Sequence, residues 1–261
     1  PPRSGKTEIV NTFIEWTITK HPQSKYIMTS YSDTLVANSS QQIRDTINSL
    51  EHKDLFNLET KKDTQSKKLW KTNANGGVYA VSSFGQITGH GAGLKSSNEW
   101  GGCIIVDDPL KPDDANSILK LDKIKDWFET TLSNRVNNPN VPIIIIMQRL
   151  HTNDLVGCIE QNKFKDKDEW TFLKIKAVDD EYNISFWEDF YPIAKLEQMK
   201  KSNSFYYYSQ FQQEPIVRGG NFFNTDWIKY VKRDIVNDIK FEKRFITVDT
   251  ALKAKEQNDY T

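Results

Sequence analysis

Residues 2–7, Pro-Arg-Ser-Gly-Lys-Thr, match the second half of the pattern GxxxxGK[ST]. In that pattern backbone N–H groups wrap phosphate oxygens, and the start of the following helix presents its positive dipole end to them. Lys6 would reach the β and γ phosphates of a nucleotide, and the Thr7 hydroxyl would ligate Mg²⁺. A Gly-Lys-Thr triplet also begins ordinary capped helices, so the loop gains meaning only beside a second element. Residues 102–109, GCIIVDDP, supply it as a buried-strand pattern ending in two acids. Asp107 would hold Mg²⁺ through water, and Asp108 would orient or deprotonate an attacking water. A third element, Gln148-Arg149, directly follows IIIIM. Gln148 lies where a sensor of the γ-phosphate would lie. In this order the three elements point to hydrolysis of a phosphate chain, with ATP and Mg²⁺ as the ligands.

Such residues need a scaffold that brings distant segments to one edge. Ile9, Val10, Phe13, Ile14 and Ile18 recur at helical spacing after the loop, with Glu8 in the first turn, where a carboxylate suits the helix dipole. Residues 25–30 (KYIMTS) read as a strand. Ser32-Asp33 then caps a second helix carrying Leu35, Ile43, Ile47 and Leu50. Asn75-Gly76-Gly77, between two strand-like runs in residues 67–83, marks a hairpin. Residues 85–93 (GQITGHGAG) read as loop, 113–136 as helical, 142–147 and 170–178 as strands, and 192–213 as a helix. Apolar strands alternating with helices predict an α/β fold, a largely parallel sheet with helices on both faces, whose functional residues lie at the strands' C-terminal ends.

Composition excludes several function classes. Hydrophobic residues make up 37% and charged residues 27%, which rules out a disordered or low-complexity chain. No stretch approaches the roughly 18 apolar residues of a membrane helix. Lys plus Arg and Asp plus Glu both total 35, so any nucleic-acid contact has to come from a local patch. Lys61, Lys62, Lys67, Lys68 and Lys71 form one such cluster, and Lys229, Lys232 and Arg233 another. Either could meet phosphates without reading bases, although a plain solvated face is the favoured reading of each. Tyr206, Tyr207 and Tyr208 read as helix packing. The two cysteines, Cys103 and Cys158, read as small core residues of a protein in a reducing compartment.

PPRSGKTE, SYSDTLVANSSQQIR, GQITGHGAG, IIVDDPLKPDDANS, DWFETTLSNRV, IIIIMQRLHTNDLVG and YYSQFQQEP follow one another along the chain. In this the sequence resembles the large terminase subunits of tailed bacteriophages. The resemblance implies a P-loop NTPase fold of the ASCE type over residues 1–213, a linker subdomain over 214–241, and the first strand of an RNase-H-like nuclease over 242–261. It also implies an ATPase motor that packages double-stranded DNA, working as a homo-oligomeric ring on the capsid. The partners would be the portal protein and the small terminase subunit, in the cytoplasm of the bacterial host and away from any membrane.

Residue by residue, the resemblance makes Lys6 the phosphate-binding lysine within the loop Arg3-Ser4-Gly5-Lys6-Thr7, Thr7 a Mg²⁺ ligand, and Arg3 a phosphate sensor. Asp107 becomes the Mg²⁺-binding acid and Asp108 the catalytic carboxylate, where many members carry Glu. Gln148 falls in the segment coupling hydrolysis to movement. Asp249, at the end of RFITVDTA, and Asp259 match metal-binding acids of the nuclease, whose further carboxylates come from later segments, so nuclease activity is not expected of this chain. The family's trans-acting Arg has no counterpart in TGHGAGLK, which leaves Lys95, Arg135 and Arg149 as substitutes. Another P-loop translocase such as a helicase, or a degenerate prophage fragment without turnover, are the alternatives. The strand that feeds the loop would precede residue 1, which leads us to expect a gap beside Ile104 to Val106 and an unstable or aggregating molecule.

Overall fold

Alternate residues of β1 (Lys25–Ser30) and β5 (Ile104–Asp107) are apolar toward opposite sides, so both strands are stable only with cover on each face. The computed structural model describes residues 1–95, 99–164 and 169–216 and shows how that cover is supplied. It is an α/β structure with a mixed six-stranded sheet in the order β2-β3-β4-β1-β5-β6. The strands β4 (Gly77–Ser82), β1, β5 and β6 (Ile143–Ile146) run parallel. The strands β2 (Thr60–Gln65) and β3 (Leu69–Thr72) extend the sheet antiparallel at one edge.

One face packs on α1 (Lys6–Lys20) and α2 (Asp33–Ile47), where Ile14, Ile18 and Ile43 meet Tyr26, Met28 and Ile105. The other receives α4 (Ile118–Trp127) and α5 (Leu155–Glu160), with Ile124, Phe128 and Ile159 against Ile27, Ile104 and Val106. Between the second helix and β2 lies the short α3 (Leu50–Phe56), started by the Ser49 side chain accepting from His52 N–H. A third, smaller core joins α6 (Ile193–Ser202) and α7 (Ser204–Tyr206) through Tyr191, Leu196, Tyr207 and Phe211. Tyr207 is buried there, so the tyrosine run does serve packing. Cys103 and Cys158 are free and buried, and burial pushes the Cys103 thiol up to about 12.

Several expectations need correction. The buried stripe of α1 is Val10, Asn11, Ile14, Thr17 and Ile18, which turns Ile9 outward at 68% exposure. Leu35 and Leu50 are likewise exposed, and Leu50 belongs to α3. The helix over 113–136 is interrupted. Pro112–Asp114 forms a 3₁₀ turn before α4, and Phe128–Leu132 widens into a π turn after it. Likewise the helix over 192–213 breaks at Asn203 and ends in a π turn at Tyr207–Phe211. Residues 170–178 form no ladder strand. The backbone of Val178 is instead clamped by the Gln212 side chain, at 2.9 Å to its N–H and 3.1 Å to its carbonyl. Beta-strand β2, TKKDTQ, has no apolar alternation to announce it.

The expected gap beside Ile104 to Val106 is absent, because β5 is bonded to β1 on one side and β6 on the other. Among the described residues β6 pairs on one side only, with β5. Ile104 N–H donates to Pro142 O and Asp108 N–H to Ile146 O, so alternation turns the amides of Ile143, Ile145 and Met147 away from β5. Beside that edge runs an apolar groove of about 550 Å³, between Ile9 and Phe13 on one wall and Phe172 and Leu173 on the other. No helix among the described residues is long and apolar enough to cross a membrane. All but residues 214–216 of the expected linker (214–241), and the whole expected nuclease start (242–261), lie outside the described residues, as do Lys229, Lys232, Arg233, Asp249 and Asp259.

An open edge beside an apolar groove favours association between chains. Light scattering after size exclusion should show the protein self-associating. Leu173→Lys, at a position 86% exposed, should shift it toward monomer without changing its melting temperature; a wild-type monomer at high concentration would contradict this.

Candidate functional site

Gly5 sits at φ 75°, a left-handed conformation that a Cβ disfavours, and this lets the chain turn from loop into helix within one residue. The first N–H groups of α1 have no partner within the helix and face the loop. The Ser4 hydroxyl donates to Pro1 O at 2.8 Å, and Lys6 Nζ donates to the same carbonyl at 2.6 Å. Arg3 is exposed at the mouth, in a left-handed conformation of its own. Loop, Lys6, Thr7, Asp108 and Gln148 together line a cavity of about 390 Å³.

Across the cavity stands the end of β5. The Thr7 hydroxyl donates to Asp107 Oδ2 at 2.8 Å. Asp108 departs from strand geometry with φ 47°, a strained conformation for a residue with a Cβ. Its backbone is held there from two sides: its N–H donates to Ile146 O at 2.8 Å, and its carbonyl accepts from Tyr31 N–H at 2.9 Å. Its carboxylate accepts from Gln148 N–H at 3.2 Å. Thus the residues singled out from the sequence at 2–7, 107, 108 and 148 do converge.

Burial pushes the Asp108 carboxyl up to about 6, with the neighbouring Asp107 charge adding to the effect. Burial also raises Asp107, against the opposing pull of the Thr7 hydrogen bond and Lys6. Lys6 is lowered by the same desolvation, offset in part by the two acids. Among the described residues no group of three or more His, Cys, Asp or Glu is placed to hold a metal on its own. One carboxylate and one hydroxyl nevertheless fit Mg²⁺, which keeps waters and takes phosphate oxygens for its remaining positions.

Some contributors carry no sequence signal. The Tyr191 hydroxyl donates to Pro2 O at 3.2 Å. Gln42, on α2, donates to Glu8 at 2.8 Å and accepts from Asn11 at 3.4 Å, tying α2 to the loop helix. Arg149 is no reaching cation. It is 6% exposed, with Nε 3.0 Å from both Asp154 oxygens and Nη1 2.7 Å from Glu160. Lys95 is exposed and Arg135 half-buried, both away from the cavity lining. In the lysine cluster, Lys61 bonds Asn75 and Lys68 pairs with Asp33. No family model matches the sequence, and no curated protein is significantly similar to it.

The raised carboxyl has a thermodynamic signature. A folded-state value above the ordinary 3.8 means that the native state binds this proton more tightly than the unfolded chain does. Stability therefore falls as pH rises from about 4 to about 6, and the cost is complete above that window. In magnesium-free buffer at pH about 7.5, Asp108→Asn should stabilise the protein by up to about 3 kcal/mol, because the amide carries no charge for the buried site to hold ionised. The gain should vanish near pH 4 in paired denaturant titrations.

Proposed function

We propose that the chain is the ATP-hydrolysing subunit of a motor that moves double-stranded viral DNA into a capsid. In this reading it is a large terminase subunit with a P-loop NTPase fold of the ASCE type. The observation that carries the reading is the 2.8 Å bond between Thr7 and Asp107, formed where an unpartnered helix start meets the cavity lined by Lys6, Asp108 and Gln148. A phosphate chain there meets N–H donors and the Lys6 ammonium, whose desolvation strengthens its attraction for anions.

Thr7 and Asp107 would hold Mg²⁺, which when bound neutralises charge on the phosphate oxygens. Asp108 orients the attacking water and accepts its proton, a task suited to a carboxyl poised at about 6. The left-handed backbone at Asp108 and the Gln148 N–H fix the direction of that short side chain. Gln148 lines the same cavity and in this reading senses its occupancy. Asp249 and Asp259 belong to the nuclease portion of the reading. The ring, the portal protein and the small terminase subunit complete it as partners.

The test is phosphate release from ATP with and without linear duplex DNA. Turnover should be stimulated by duplex without unwinding it, and should fall by at least about 100-fold in Lys6→Ala and in Asp108→Asn. Stimulation by single strands with strand separation would make the protein a helicase. No turnover by folded protein would remove the motor.

A further inference from the structure

Gln148 and Arg149 are consecutive, and their amides point to different partners. Gln148 N–H holds the Asp108 carboxylate at 3.2 Å, while Arg149 N–H donates to Gln213 Oε1, also at 3.2 Å. The far side of this turn is rigid. Asp154 Oδ2 accepts from Leu150 N–H at 2.9 Å and from His151 N–H at 3.2 Å, and Oδ1 caps α5 through Gly157 N–H at 2.8 Å. The Arg149 guanidinium is pinned to the same acid. What remains to be set is the orientation of the peptide units at 148 and 149, and the side chain bonded there is that of Gln213.

Gln213 is built for that position. It is 7% exposed, and its backbone is left-handed at φ 58°, a conformation that costs about 1 kcal/mol or more for a residue with a Cβ. Its Nε2 donates to Gln210 O at 2.7 Å, which fixes the amide so that its oxygen faces Arg149. The neighbouring Gln212 is locked on Val178 within the small third core. That same core carries Tyr191, whose hydroxyl reaches Pro2 O. One small core therefore touches both walls of the phosphate cavity, the loop through Tyr191 and the Gln148–Arg149 turn through Gln213.

We infer that Gln213 is a positioning residue: it orients the Gln148–Arg149 turn so that Gln148 N–H keeps the Asp108 carboxylate aimed into the phosphate cavity, with Tyr191 bracing the opposite wall. The inference rests on the proposed ATP hydrolysis for its catalytic consequence and on geometry alone for the clamp. It predicts an effect on the chemical step rather than on nucleotide affinity, because Gln213 does not line the phosphate cavity.

The experiment compares wild type with Gln213→Leu, which at similar size removes both the acceptor and the Nε2 donor that orients it. Without nucleotide, hydrogen exchange at the Arg149 amide should speed about tenfold or more in Gln213→Leu relative to wild type. With MgATP, kcat should fall about 10- to 100-fold in Gln213→Leu with KM within about twofold. If Gln213→Leu does not fold, Gln213→Asn, one methylene too short to reach, takes its place with the same expectations. Unchanged exchange overturns the clamp. Faster exchange with unchanged kcat, or with a rise in KM alone, leaves Gln213 a structural residue and overturns the positioning role. A folded wild type without turnover refutes the ATPase reading and the catalytic half of this inference together, and the exchange pattern then decides the clamp by itself.

Discussion

Two adjacent carboxylates at the end of β5 and one ammonium at the start of α1 are partly withdrawn from water, and most of the local architecture follows from that. Desolvation disfavours the charged form of all three groups, so their mutual attraction offsets only part of the cost. The rest of the structure has to hold them in place against it. Asp107 is bonded to Thr7, Asp108 is fixed at its N–H, its carbonyl and its carboxylate, and Lys6 is tethered to the loop carbonyl. A site kept under such tension favours any ligand that brings a divalent cation to the acids and oxyanions to the lysine.

The fold divides this holding task between its two sides. The parallel strands β1 and β5, with α1 and α2, fix the position of the acids relative to the loop helix. Tyr31 N–H crosses from the end of β1 to the Asp108 carbonyl, and Gln42 bridges α2 to Glu8. The side toward β6 is different, since among the described residues β6 pairs with β5 alone. There the turn after the strand is stabilised by side chains: Asp154 from α5 and Gln213 from the end of the small core. Polar side-chain bonds hold the turn on that side, Asp154 through a buried ion pair with Arg149 and Gln213 through the Arg149 N–H.

What the sequence revealed and what it hid follow the same division. The strand β1, the hairpin at Asn75-Gly76-Gly77, and the strand ending in Asp107-Asp108 were legible because each is marked by local chemistry: a run of apolar residues, a turn that needs glycine, an acid pair after isoleucines. The convergence of Lys6, Thr7, Asp107, Asp108 and Gln148 followed from the rule that parallel sheets gather function at one edge. Beta-strand β2 was not legible, since its polar TKKDTQ pairs with β3 through backbone alone and presents mostly exposed side chains. Residues 170–178 misled for the converse reason. Their apolar content suits a strand, yet side-chain and backbone partners near Gln212 and Phe211 take the bonds at Ala177 and Val178. Tyr191 and Gln213 act at distances of 189 and 64 residues from their partners, and periodicity carries no information at such separations.

The distribution of cations limits how such a site can work. Among the described residues only Arg3 and Lys6 bring positive side chains to the phosphate cavity. Arg149, the arginine nearest in sequence to Gln148, is neutralised by Asp154 and Glu160, and withdrawing it would leave the buried Asp154 carboxylate without a countercharge. Arg135 and Lys95 lie toward the opposite end of the sheet. Ala92 N–H donates to Arg135 O, and Gly93 N–H donates to Lys25 O at the start of β1. Neither can turn back into its own cavity, which lies beyond the far ends of β1 and β5.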